Sequence, residues 1–227
     1  MTTTCSTDRL SAQDLEDGLV VPRAALYELG LDDAEIQQGL DSRPLVVAFQ
    51  AHEQPGAWFD VDAARRAVRA IESLKHTKGR WGNSPLKLAA WQKLWIILPI
   101  FGWLYFDAEL GRAVRVVRAT WIEVPRKNGK STLSSGIGLT LLMADRETGA
   151  EVYAAAGSLV QAQRVFDDAK RMALTSSAVR SRAEVLAAVI RVPRTGGVFR
   201  ALSRIAETAH GLNVSGAVND EVHVHKS

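Results

Sequence analysis

The sequence predicts an α/β fold with a mostly parallel central sheet flanked by helices, and three observations carry that expectation. From residue 116 onward, short apolar runs rich in β-branched residues alternate with stretches of helical periodicity. One of those runs, at 116–124, passes through a glycine turn straight into a helix start. The composition is that of a folded globular chain, with 47% hydrophobic and 23% charged residues in 227.

In chain order, the first 40 residues read as a peripheral appendage, helical in part around 32–40. Residues 43–50, RPLVVAFQ, suit either a strand or the start of a helix. The stretch 59–74 is a short amphipathic helix, with Val61, Ala64, Val68 and Ile71 on one side. Residues 76–85, HTKGRWGNSP, form a loop by their Gly, Asn and Pro content. The longest apolar run, LWIILPIFGWLYF at 94–106, contains Pro99 and Gly102. It is too short and interrupted to span a bilayer, and a buried helix broken at the proline is expected.

Then the alternation begins. A buried strand over 116–124 is followed by a helix over 129–143, with Leu133, Ile137, Leu139 and Leu142 close to helical spacing. Residues 150–156, AEVYAAA, give a second strand, and Ser158 caps a helix running to about Leu174. Two more strands, within 185–192 and 196–203, flank a Pro-Arg-Thr-Gly turn, and 214–220 closes the series. Such alternation argues for parallel strands covered by helices on both faces.

Charge is uneven. Residues 1–59 carry 3 basic and 10 acidic side chains, whereas 60–131 carry 14 basic and 6 acidic. The basic middle suits a polyanion such as DNA or nucleotide, or simply a solvated helix face. Cys5, the single cysteine, forms no internal disulfide, and no signal peptide opens the polar, acidic start, so an intracellular protein is expected.

The chemistry concentrates at VPRKNGKS, 124–131. A strand, a sharp turn and a helix opening on Gly129-Lys130-Ser131 is the layout of a phosphate-binding loop, although Val124 stands where the usual pattern has its first glycine. The first N–H groups of a helix and its dipole attract an anion. Lys130 would reach the β- and γ-phosphates, and the Ser131 hydroxyl would sit on Mg²⁺. Such a site needs a carboxylate for the metal and a base to orient water. Asp220 and Glu221, at the end of the last strand, supply both: Asp220 for Mg²⁺ through its water shell and Glu221 for the attacking water. His210, His223 and His225 invite a zinc reading, but nothing is spaced to complete a tetrahedral set.

These residues resemble a family, the large terminase subunits of tailed bacteriophages. The carriers are HTKGRWGNSPLKLAAWQ, FGW, WIEVPRKNGKSTL, AEVYAAAGSLVQAQRVFDDAKRM and AHGLNVSGAVNDEVHVHK, which together cover 58–227 in the family's order. The resemblance implies a P-loop ATPase of the catalytic-glutamate type over 58–227, with 1–57 as an acidic N-terminal extension. It implies ATP and Mg²⁺ as cofactors. Arg126, Lys127, Asn128, Gly129, Lys130, Ser131 and Thr132 would form the phosphate loop, with Arg126 at the γ-phosphate. Trp91 and Gln92 match the family's adenine-recognition motif, and the alternative for Trp91 is a core aromatic beside Trp95. The implied partners are double-stranded viral DNA, the portal protein and the small terminase subunit, with no membrane, a ring formed only on the portal, and the host cytoplasm as the place of work. The sequence stops at Ser227, before the family's coupling motif and nuclease domain, so weak turnover and no nuclease activity are expected. Two other readings stay open: a non-catalytic nucleotide-binding assembly protein, and another DNA-dependent P-loop ATPase.

Overall fold

The computed structural model describes residues 8–44, 49–125, 127–145, 147–156, 158–202 and 213–219. The chain divides into two compact units, Met1–Arg69 with Leu88–Ile122, and Ala70–Lys87 with Glu123–Ser227. The division falls within a helix and again just before the predicted phosphate loop, so the boundary expected near residue 57 lies inside the first unit.

In the first unit, α1 (Ala12–Glu16), α2 (Arg23–Glu28) and α3 (Asp33–Asp41) precede β1 (Trp58–Phe59) and α4 (Val61–Glu72). Each of α1 and α3 starts on a capping box, Ser11 with Asp14 and Asp32 with Glu35. The segment expected as an appendage is not peripheral. Leu19, Val21, Leu26 and Ile36 are buried in one cluster with Phe59, Leu94 and Trp103. Trp103 seals it, donating its indole N–H to the Val20 carbonyl at 2.9 Å. Sparse apolar residues in a charged stretch hid this, because only one side of each short helix faces the core. The alternatives at 43–50 centre on residues outside those described.

The apolar run at 94–106 also differs from expectation. After α5 (Ala90–Gln92) the chain winds as a π-helix over Lys93–Ile97 and continues as α6 (Leu98–Gly102), with Pro99 in its first turn. Pro99 follows closely on the π-helical stretch, and the winding continues past it. It ends at Gly102, where a Cβ would collide with the Phe59 ring. The chain then turns into β2 (Trp103–Asp107), which pairs antiparallel with β1 and with β3 (Arg112–Arg115).

The second unit holds α7 (Lys130–Met143), β4 (Glu151–Ala155), α8 (Leu159–Thr175), α9 (Ser177–Arg180), β5 (Glu184–Val185), β6 (Ile190–Val192), β7 (Gly197–Ala201) and β8 (Val214–Asn219). Ser158 caps α8, its hydroxyl accepting the Gln161 N–H at 3.3 Å. The sheet order is β5-β6-β7-β4-β8. Strands β7, β4 and β8 are mutually parallel, but β5-β6 and β6-β7 are antiparallel. The sheet is therefore mixed rather than mostly parallel, because the Pro-Arg-Thr-Gly turn makes a hairpin.

The strand expected at 116–124 is not formed. Val116 and Val117 pack on the first unit's core, and Val116 N–H donates to Trp103 O at 2.9 Å. Beyond them the described residues to 125 carry no regular secondary structure, and Trp121 is 69% exposed. Its β-branched content reflects contact with the other core, not burial in the sheet.

Helices α7 and α8 lie on the same sheet face, a second departure from the expected arrangement. Phe166 of α8 meets Phe199 of β7 edge-on at 5.7 Å, and Gly138 of α7 abuts the same ring. Ser135 ties the two helices, donating to the Val165 carbonyl at 2.9 Å. No helix among the described residues is long and apolar enough to cross a membrane.

Candidate functional site

The predicted phosphate loop opens α7. Gly129 is the residue before the helix, at φ +73°, and its carbonyl accepts the first helical bond, from Leu133 N–H at 2.9 Å. A Cβ there would meet nothing within 4 Å, so the requirement for glycine is conformational rather than spatial. Lys127 also takes the left-handed region, at φ +71°, which costs an L-residue roughly 1–2 kcal/mol. Asn128 holds the turn, its side-chain amide donating to the Pro125 carbonyl at 3.2 Å.

The first turn of α7 contains no acidic side chain, and Lys130 stands at its positive end. A cation there opposes the helix dipole by a few tenths of a kcal/mol to about 1 kcal/mol. A bound polyanion reverses that sign, so the residue set fits a phosphate and not a metal alone.

Close approaches fix where this end of α7 lies. A Cβ at Gly197, the first residue of β7, would sit 3.2 Å from Leu142, near the helix end. Two residues further along the strand, Phe199 meets Gly138, one turn earlier in the helix. Thus α7 runs antiparallel to β7, and Lys130 lies toward the carboxyl ends of the parallel strands. Ligands of α/β sheets bind in the crevice at those ends. There Asn219 of β8 pairs with Ala155 of β4. The expected metal ligand and base, Asp220 and Glu221, follow Asn219 in sequence and lie outside the described residues, as does Arg126.

Within the second unit, then, the fold brings Lys127, Asn128, Gly129, Lys130, Ser131 and Thr132 together at one helix start. Trp91 and Gln92 stand in α5 of the first unit, both half-buried. The Gln92 side-chain oxygen, Oε1, accepts the Ala89 N–H at 3.0 Å, which closes the first turn of that helix. No group of three His, Cys, Asp or Glu side chains could hold a metal among the described residues. His210, His223 and His225 are outside them.

A cleft of about 640 Å³ lies at the other end of α7, lined by Leu142, Met143, Arg180, Arg182 and Arg194 with Glu147 and Glu184. It is far along the helix from Lys130, and its mixed charge distinguishes it from a phosphate cradle. One group escaped the sequence reading. Asp168 is buried on α8 at the spacing of its apolar face, with Val165, Phe166, Ala169 and Met172. A carboxylate in an apolar stripe was the available signal.

Comparison with known proteins gives two matches. The family model described as terminase large subunit, ATPase domain, matches residues 90–227. The crystal structure of the HK97 bacteriophage large terminase is similar, at 25% identity and a TM-score of 0.55, over 70% of this chain and 31% of that one. The chain thus spans less than a third of that terminase's length. No curated protein matches it in sequence.

Proposed function

We propose that this chain, which belongs to the terminase large subunit ATPase family, binds Mg-ATP at the loop opening α7 and hydrolyses it to drive packaging of viral DNA. The observation that carries the proposal is Gly129, left-handed at φ +73°, opening α7 at the carboxyl edge of β7-β4-β8.

In this reading Lys130 binds the β- and γ-phosphates, and the Ser131 hydroxyl ligates Mg²⁺ together with Asp220. Lys127, Asn128, Gly129 and Thr132 complete the cradle. Bound Mg²⁺ would supply charge neutralisation at the phosphates, and Glu221 would orient water toward the γ-phosphorus. The water oxygen would bond to that phosphorus as its bond to the bridging oxygen breaks, releasing ADP and phosphate, with the water's proton leaving on the side of Glu221. Arg126 offsets charge on the γ-phosphoryl oxygens. Trp91 stacks on adenine and Gln92 reads its edge through the amide nitrogen, since its carbonyl oxygen holds the helix start. The sheet edge would then be of the catalytic-glutamate type. Double-stranded viral DNA is the substrate moved, the portal protein and small terminase subunit are the partners, and the host cytoplasm is the site of assembly.

ATP turnover by the purified chain, compared with Glu221→Gln, tests this. Turnover abolished by the substitution and stimulated by DNA with a steep salt dependence supports it. Turnover unchanged in Glu221→Gln removes the glutamate from its role.

A further inference from the structure

The loop over residues 75–87 carries Lys75, Lys78, Arg80 and Lys87 and no acidic side chain. It is built rather than slack. Its neck is closed by the Lys75–Pro85 bridge and by Leu86 N–H donating to Leu74 O at 2.9 Å. Across it, His76 N–H donates to Ser84 O at 3.0 Å and Asn83 N–H to His76 O at 2.9 Å. Gly79 and Asn83 take left-handed backbone at φ +71° and φ +67°, where Asn is among the better tolerated L-residues.

An ion pair anchors it. Lys78 Nζ lies 2.7 Å from Asp168 Oδ1, and that carboxylate is only 8% exposed. Arg171 stands further away, at 3.9 Å. The contact is a close charge pair off the hydrogen-bond direction. A carboxylate buried among apolar side chains needs a cation, so Asp168 fixes Lys78 and with it the loop.

At the tip, Trp81 is 57% exposed, and the Arg80 guanidinium lies 4.9 Å from its ring centroid. An exposed aromatic ring beside the Arg80 guanidinium serves two chemistries at once. The ring stacks on a nucleobase and the guanidinium meets a phosphate. An acidic peptide would use the cations and leave the ring idle, and an apolar partner would strand the charges in a dry contact.

We infer that this loop is a contact for an unpaired DNA strand, with Trp81 stacking on a base, Arg80 on the adjoining phosphate, and Asp168 positioning both through Lys78. The choice of DNA rests on the packaging reading above, and the choice of an unpaired stretch on the ring, because the bases of a duplex already stack on one another. Binding of a labelled oligodeoxythymidylate to the 227-residue chain, followed by fluorescence anisotropy at low salt, tests it. Trp81→Ala is expected to weaken binding roughly 5- to 150-fold. Trp81→Phe retains affinity within a few-fold, and Arg80→Ala lowers the slope of affinity against salt by about one. Lys78→Ala leaves Asp168 with Arg171 alone, so its melting is checked beside the parent; where it stays folded, it weakens binding with the ring still present. The inference is overturned if the parent does not bind, if Trp81→Ala binds like the parent, or if Trp81→Phe loses as much as Trp81→Ala. Thermal stabilisation by Mg-ATP, measured on the same proteins, keeps the two proposals apart. A parent that responds to ATP while Trp81→Ala keeps its DNA affinity sinks this inference alone, and Trp81-dependent DNA binding without any ATP response sinks the ATPase reading alone.

Discussion

A Cβ placed on Gly138 would lie 2.8 Å from the Phe199 ring, so the backbone of α7 rests directly on that side chain of β7. Two residues earlier, Gly136 faces Ile71 and Leu74 at 3.4–3.7 Å, an ordinary contact. The two glycines therefore respond oppositely to alanine. Each gains about 1 kcal/mol of helix propensity. At Gly136 that gain stands. At Gly138 overpacking against a fully buried ring costs about 1–3 kcal/mol and outweighs it. Denaturant unfolding should rank Gly136→Ala above the parent and Gly138→Ala below it; the reverse order would show that α7 does not sit on β7 as described.

Gly129 tests the loop's backbone. Its surroundings are open, so only the conformation opposes a side chain. Gly129→Ala should cost about 1–2 kcal/mol, and Gly129→Asn less, because Asn tolerates the left-handed region. Equal losses for the two variants, measured by urea melting, would argue for a steric cause instead.

The bond from Ser135 to the Val165 carbonyl crosses from α7 to α8 in a buried setting. Ser135→Ala should lower stability by about 0.5–1.5 kcal/mol, the net worth of such a bond. A variant as stable as the parent would mean that the helix pair is held by apolar packing alone.

Tyr153 sets a pH dependence. Burial first, and then its hydrogen bond to Glu151 Oε2 at 2.8 Å, raise its phenol above the ordinary value near 10. A raised folded-state value means that the neutral ring stabilises the fold. That contribution is complete below about pH 10 and is lost as pH rises through the folded value. Tyr153→Phe should therefore flatten the alkaline end of a stability-against-pH curve. An unchanged alkaline slope in the variant would assign it to other groups.

Much of the second unit was legible in the sequence, and for one reason. Helix α7, helix α8 and strands β4, β7 and β8 each carry both their periodicity and their punctuation locally: Gly129 before α7, Ser158 before α8, a Thr-Gly turn before β7. The resemblance to terminases, carried by the same segments, is borne out by the family model. What escaped depends on partners distant in the chain. Val116 and Val117 read as strand residues, yet their burial comes from the first unit's core. The helices before residue 42 carry too few apolar residues to advertise a core, which becomes visible only with Trp103 among them. At Pro99 the rule about helix breaking missed the π-helical winding over Lys93–Ile97, which runs on into the turn that holds the proline. Of the candidate site, the proposed cradle from Lys127 to Thr132 is read from local chemistry, whereas the pairing of Asp168 with Lys78 required seeing what lies across from α8.

The most direct test of the central claim is the thermal unfolding of the chain with and without Mg-ATP, beside Lys130→Ala. At ligand about a hundredfold above its dissociation constant, binding should stabilise the parent by roughly 2.7 kcal/mol. Lys130→Ala, folded as the parent is, should lose most of that gain. A parent whose melting does not respond to millimolar Mg-ATP, or a Lys130→Ala variant that responds as fully as the parent, would contradict the assignment of the loop opening α7 as the nucleotide site.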